Sequence, residues 1–226
     1  VGLGAVGAGA FAVGKSFVDA AGEVQKYKAT LETLLGSQDA ANKRFQEMSD
    51  FAATTPFELP EVVDLGIKLQ ALGQYTKENM TNLGDLSAAI GKPIDQVANA
   101  FAKLASGQKG EAVNMFRDLS INNADWIKAT GKGVKKTGEL IATTDELMAA
   151  LPKILKDRGI SGMMEKISQT HSGIVSNFSD TIFQFKASIG EGLLKAVDKL
   201  MVTLTDIMQK MMKTFKEKGK SYIDAI

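Results

Sequence analysis

The sequence predicts a mainly α-helical protein, a compact multi-helix domain flanked by long amphipathic helices. Apolar residues recur every three or four positions along most of the 226 residues, as on one face of an α-helix. Each proline stands where a predicted helix begins or just inside its first turn, where a missing N–H does no harm. The prolines are Pro56, Pro60, Pro93 and Pro152. Glycines follow predicted helix ends, as C-terminal caps do. These are Gly36, Gly73, Gly91 and Gly131.

Three helices are predicted in the first third of the chain, over residues 8–35, 38–53 and 60–72. In the first helix, the apolar face comprises Phe17, Ala20, Val24, Tyr27, Leu31 and Leu34. Pro56 disfavours the α region for the preceding Thr55, so the chain must leave the second helix before the third begins.

Shorter helices are predicted along the middle of the chain. They cover residues 77–90, 94–104 and 111–119, with residues 125–128 following. Residues 37–130 are therefore a succession of short helices, which is typical of a compact helical domain.

Residues 133–141 have no helical period. Lys136-Thr137-Gly138 resembles a tight turn between two very short strands, so we expect a small β-hairpin there. Thr144 then caps a further helix, with Asp145 and Glu146 in its first turn, where acidic groups suit the helix dipole.

The longest helix is predicted over residues 174–215, where one apolar stripe has an average spacing of about 3.7 residues. The stripe comprises Ile174, Phe178, Ile182, Phe185, Ile189, Leu193, Val197, Leu200, Leu204, Ile207, Met211 and Phe215. A helix of this length must bury its stripe on the rest of the domain or on another copy of the chain.

These elements predict three regions. Residues 1–36 form a Gly/Ala-rich apolar segment and N-terminal helix, 37–170 the compact helical core, and 171–226 a long amphipathic helix. Because the sequence starts at Val1, without an initiator Met, we interpret it as a piece of a longer polypeptide. Residues 1–14 carry no charge, are too short to span a bilayer and lack the basic flank of a signal peptide.

Composition excludes several function classes. The chain is 44% hydrophobic and 23% charged with a net charge of +1, which indicates a globular protein and argues against sequence-specific nucleic-acid binding. It contains no cysteine, so a disulfide framework, a thiolate zinc site and a cysteine nucleophile are all excluded.

Residues 9–16 match the phosphate-binding pattern G-x-x-x-x-G-K-[ST], ending at Lys15 and Ser16. A true phosphate loop follows a buried strand, and here only Gly and Ala precede it. Residues 2–7 spell G-x-G-x-x-G in the same stretch, again without a strand. Small residues that allow close helix packing explain both patterns better, so no cofactor is expected.

His171 is the only histidine, with Ser168, Ser172 and Asp180 near it in sequence. A hydrolytic triad can be drawn from these residues, but a lone His between two helices is more often a surface or cap residue. We therefore expect no catalytic, cofactor-binding or metal site.

Six of the ten methionines lie after residue 160, and Met-rich surfaces adapt to several partners. They are Met163, Met164, Met201, Met208, Met211 and Met212. Core filling explains them equally well. The last three, beside Lys210 and Lys213, also fit a basic amphipathic helix at a membrane.

Several blocks of sequence together resemble the core region of phage tail tape measure proteins. Residues 45–73 join a polar-faced helix to a second helix through a Thr-Pro-Phe break, ending in Leu-Gln-Ala-Leu-Gly. Residues 83–91, 97–101 and 170–180 follow, and the last of these contains a Gly-x-x-Ser-Asn pattern. The resemblance extends from about residue 45 to 194 and includes the counterparts of these proteins in headless tail-like particles.

The resemblance implies a structural protein of the virion that sets tail length, lies in the tail lumen or tip and is expelled during ejection. It implies as partners other copies of the chain, tail tube and baseplate or tail-tip proteins, and assembly chaperones in the host cytoplasm. Residues 1–14 would suit contact with a host membrane. The ruler role agrees with helix geometry, because a rise of ~1.5 Å per residue makes length proportional to residue number.

Two other functions stay open. A membrane-active or channel-forming helical module of a tail, toxin or secretion machine would not relate chain length to tube length. A cell-wall hydrolase-associated domain would release peptidoglycan fragments, although the single His and the lack of Cys weigh against it.

Overall fold

The computed structural model describes the backbone of residues 3–223 and the side chains of residues 16–214, apart from positions 171, 178, 185, 197, 200 and 201. Within this range the chain forms ten α-helices. They are α1 (Leu3–Leu35), α2 (Gln38–Ala52), α3 (Leu59–Ala71), α4 (Lys77–Ile90), α5 (Ile94–Ala105), α6 (Lys109–Asp118), α7 (Asn123–Thr130), α8 (Thr144–Asp157), α9 (Met163–Ser168) and α10 (His171–Ile223). The predicted mainly α class is confirmed.

The helices begin where side chains satisfy their first free N–H groups. The Ser37 hydroxyl accepts a hydrogen bond from the backbone N–H of Ala40 at the start of α2. The Thr76 hydroxyl does the same for Asn79 in α4, at 3.0 Å. In α8 the cap is Thr143, one residue before the predicted Thr144, and Glu146 completes a capping box.

Two prolines differ from the prediction. Pro56 precedes α3 by three residues, in the bend between α2 and α3. Pro152 lies inside α8, not in its first turn. Helix α8 is capped at Thr143 and continues through Pro152. Its buried face around Leu151 stabilises it there, because tertiary packing can outweigh local propensity.

The predicted hairpin at residues 133–141 is reduced to a single antiparallel bridge between Val134 and Leu140. The backbone N–H of Lys135 donates to the Glu139 carbonyl oxygen at 2.8 Å, and Gly138 turns the chain at a φ of 83°. Within residues 3–223 no strand longer than this bridge is present.

The chain divides into two compact units. The larger spans Tyr27–Ile182, and the smaller combines the chain before residue 27 with the chain after residue 182. Both boundaries fall inside helices, α1 and α10. The three regions 1–36, 37–170 and 171–226 stay a prediction.

The larger unit has a densely packed apolar core. Trp126 is fully buried, with its ring edge-on to Phe116 at a centroid distance of 5.4 Å. Burying side chains of this size contributes roughly 1.5–3 kcal/mol each. Two helical glycines let methionines approach closely, since a Cβ at Gly66 would overlap Met48 and one at Gly84 would overlap Met164.

In the smaller unit α1 and α10 approach closely at Gly190. A Cβ there would overlap the Phe17 carbonyl oxygen and lie 2.9 Å from the Ala21 Cβ. Ala20, Ala21 and Ala187 are also buried. Small residues therefore permit this helix contact. The close packing predicted for the small residues before Lys15 lies outside the described side chains.

Candidate interaction surface

The predicted apolar stripe of α10 is exposed wherever the structure describes its side chains. The described members are Ile174, Ile182, Ile189, Leu193, Leu204, Ile207 and Met211, and all of them are exposed. Ile174 is 58% exposed and Ile207 48%. The remaining members, Phe178, Phe185, Val197, Leu200 and Phe215, lie outside the described side chains. Apart from these five, the stripe is not buried on the chain itself.

A continuous apolar patch lies near the C-terminal end of the stripe. Leu204, Ile207, Met208, Met211 and Met212 recur at i, i+3, i+4, i+7 and i+8, so they share one helix face. All five are exposed, and we call them the 204–212 patch. A row of apolar side chains at helical spacing is suited to packing against another helix.

The methionines have different environments. Met164 is buried and fills the space over Gly84 in the core. Met208, Met211 and Met212 are exposed in the 204–212 patch. Core filling therefore explains Met164, while a partner surface at the exposed methionines stays a prediction.

In the larger unit, α10 packs through a polar side instead of its apolar one. Gly173, Ser176, Asn177 and Asp180 recur at i, i+3, i+4 and i+7. Gly173 and Asp180 are buried, and the Ser176 hydroxyl and the side-chain oxygen Oδ1 of Asn177 are buried without a hydrogen-bond partner in the described part of the chain. The Gly-x-x-Ser-Asn motif is thus the inner face of the helix. Sequence reasoning missed this role, although the helical spacing of the polar residues was a usable signal.

Asp180 connects this inner face to α3. Its Oδ1 accepts a hydrogen bond from the backbone N–H of Leu59 at 2.8 Å, while its Oδ2 has no partner within the described residues. Burial raises the pKa of Asp180 above its ordinary value of 3.8, and the nearby Glu58 and Glu61 carboxylates raise it further. The Leu59 hydrogen bond opposes both effects. The surroundings of Asp180 therefore disfavour the ionised form of its carboxyl group.

The motifs considered for chemistry do not form sites in the described chain. The backbone of residues 9–16 is helical within α1, so it forms no loop around a phosphate. Residues 3–7 of the second glycine pattern are helical too, and Gly2 lies outside the described residues. The N–H groups of residues 9–16 lie beyond the first turn of α1, where each bonds to a carbonyl oxygen within the helix and cannot surround a ligand.

The residues considered for a triad have other partners. The Ser168 hydroxyl donates to the Glu165 carbonyl oxygen at 2.9 Å, and the Ser172 hydroxyl lies 3.2 Å from that of Thr170. Asp180 accepts from Leu59. The side chain of His171 is outside the described set. Among the described residues, no group of three or more His, Cys, Asp or Glu side chains is placed to bind a metal ion.

None of the helices, as far as the structure describes them, has both the length and the apolar character needed to cross a bilayer.

Comparison with known proteins gives one match. A family model described as tape measure protein matches residues 15–191. This range includes the whole larger unit and the polar inner face of α10, while the 204–212 patch lies beyond it. No curated protein and no solved structure matches the chain.

Proposed function

The chain belongs to the tape measure protein family, structural proteins of phage tails, and we propose that its helices lie in the tail lumen and help to set tail length. The observation that carries the proposal is α10, a helix of 53 residues with an exposed apolar stripe. A helix converts residue number into distance at a fixed rise, and an exposed stripe lets neighbouring chains hold it extended.

The length proposal is tested by changing α10 by whole turns in the complete tape measure chain. Deleting residues 194–211 removes 18 residues, which is five turns and about 27 Å of helix, and duplicating them adds the same amount. We expect tails about 27 Å shorter and longer, measured by electron microscopy of assembled particles. Unchanged tail length in both variants would contradict the ruler function of this segment.

We also propose that the exposed stripe packs against other copies of this chain. At 100° per residue, Ile207 lies within the 204–212 patch and Val202 lies on another side of the helix. Both are exposed, at 48% and 63%. Ile207→Asp should weaken self-association in sedimentation equilibrium, whereas Val202→Asp should not. Equal effects of the two substitutions would show that the patch is not the contact.

The remaining partners follow from family membership. A tape measure protein associates with other tail components. We propose that these are the tail tube, the baseplate or tail tip, and assembly chaperones, and that the chain leaves the tail during ejection. Pull-down of individually expressed tail proteins by the complete chain tests each partner.

A second candidate function is membrane activity. It is favoured by the 204–212 patch beside Lys210 and Lys213, since an amphipathic helix with basic residues binds anionic lipid surfaces. Leakage of dye from vesicles containing anionic lipid would support it. Leakage that is equal for the wild type and Ile207→Asp would contradict a role for the patch.

A further inference from the structure

The first three turns of α10, residues 171–182, are oriented opposite to an ordinary amphipathic helix. Ile174, Val175 and Ile182 are exposed at 58%, 49% and 38%. The side that faces the larger unit carries Ser176, Asn177 and Asp180. The described apolar side chains of this segment are therefore exposed, and its described buried groups are polar or glycine.

The free-energy balance between the attached and detached states of this segment therefore differs from that of a helix buried in the core. On detachment, the Ser176 hydroxyl, Asn177 Oδ1 and Asp180 Oδ2 gain hydrogen bonds to water that they lack in the described chain. The described hydrogen bond that is lost is the one from the Leu59 N–H to Asp180 Oδ1.

We propose that residues 171–182 form a releasable clasp, which holds α10 on α3 through Asp180 and detaches without unfolding of the rest of the larger unit. The charge on Asp180 sets the balance between the closed and open states. The clasp does not depend on the ruler function or on self-association, because all its contacts lie within one chain.

The direction of the pH effect follows from the surroundings of Asp180. The charged groups that act on it, Glu58 and Glu61, lie at the start of α3, and both repel its ionised form. Its pKa in the closed clasp is raised above 3.8, so closure is favoured while Asp180 is protonated. This contribution is complete below pH 3.8 and is lost as pH rises through the raised pKa. The clasp therefore opens more often at higher pH.

The Leu59 amide reports directly on the clasp, because it donates to Asp180. The Met164 amide is a matched internal control, because it donates to the buried Asp85 at 2.9 Å within the same unit. Exchange of both amides with deuterium is measured by NMR from pH 4 to 8 and corrected for intrinsic rates. We expect lower protection at Leu59 than at Met164, and a fall at Leu59 of up to about tenfold per pH unit across the titration of Asp180.

Three variants separate charge from hydrogen bonding. Asp180→Asn keeps an acceptor without charge, so protection at Leu59 should rise at neutral pH and become independent of pH. Asp180→Ala removes the acceptor and should lower protection at Leu59 further below that at Met164. Asp206→Asn, on an exposed part of α10, is the control and should behave as the wild type.

A labelling experiment gives a second readout. Because the chain contains no cysteine, Ser176→Cys introduces a single thiol on the inner face and Ser172→Cys one on an exposed position. The maleimide reaction rate of Ser176→Cys, divided by that of Ser172→Cys, should rise with pH. Adding Asp180→Asn should remove this rise.

The proposal is wrong if Leu59 and Met164 exchange together at every pH. It is also wrong if Asp180→Asn leaves the pH slopes of both readouts unchanged.

Discussion

Helices α5 and α10 are both amphipathic, but they use their apolar faces in opposite ways. In α5 the apolar residues are buried, and they include Ile94, Val97, Phe101 and Leu104. In α10 the described members of the stripe are exposed, and the contacts within the chain use Gly173, Asp180 and Gly190. An apolar stripe therefore indicates which side of a helix can be buried. The surfaces available next to the helix decide whether that side is buried within the same chain.

The largest expected difference between these helices is in stability. Leu104 is fully buried in α5, and Leu204 is 45% exposed in α10. Leu104→Ala should lower the free energy of unfolding of the larger unit by about 2–5 kcal/mol, through lost burial and the cavity left behind. Leu204→Ala should change it by less than about 0.5 kcal/mol. Urea titrations followed by the fluorescence of Trp126, the only tryptophan, measure both. Similar losses would mean that α10 belongs to the same cooperative core.

A second test compares the two buried aspartates that bind backbone N–H groups. Asp85 uses both carboxylate oxygens, accepting from Gly162 at 2.7 Å and from Met164 at 2.9 Å. Asp85→Asn leaves one buried N–H without an acceptor and should cost about 1–3 kcal/mol of unfolding free energy. Asp180→Asn should instead stabilise the protein at neutral pH, because it removes a charge that its surroundings disfavour. Chemical denaturation at pH 7 compares them, and the same sign for both would contradict the contrast.

A third test concerns the close approach of α1 and α10 in the smaller unit. A Cβ added at Gly192 would meet open space, so Gly192→Ala should raise helix stability by about 1 kcal/mol. Gly190→Ala would place a Cβ against the Phe17 carbonyl oxygen and should have the opposite sign. Thermal unfolding followed by circular dichroism distinguishes them. If both glycines respond alike, the two helices do not pack through Gly190.

The smallest expected effect lies at the exposed turn after α7. Hydrogen bonds from Lys135 and then Lys109 lower the pKa of Glu139 from 4.5 to about 2. Because this pKa is depressed on folding, its contribution is present above pH 4.5 and is lost as pH falls toward 2. Lys135→Met should move the NMR titration midpoint of Glu139 upward, with Lys136→Met as the matched neighbour. Since Glu139 is exposed, we expect little change in stability.

Most of the helices were predictable because their signals are local. The capping side chain of Ser37 and the glycine at position 91 determine where the chain enters and leaves helices, whatever the tertiary structure. The six-residue α9 was not predicted, since it is held by contacts distant in sequence, from Gly162 and Met164 to Asp85. Pro152 was misplaced for the same kind of reason, because the buried face of α8 continues past it.

The candidate surface was predicted only in part. The stripe from Ile174 to Phe215 was recognised from its spacing. Its two possible fates, burial on this chain or on another copy, were recognised as well. The inner face was not recognised, because Ser176, Asn177 and Asp180 are polar and a search for apolar periodicity passes over them.

The amino-acid sequence by itself determined most of the helices and the existence of an apolar stripe on α10, since caps and side-chain spacing act over a few residues. Only the tertiary structure decided which side of α10 is buried. That choice depends on which surfaces are brought together. The N-terminus of α3 offers the Leu59 N–H to Asp180, and Gly190 admits the backbone of α1. The described residues of the apolar side are left exposed as a consequence.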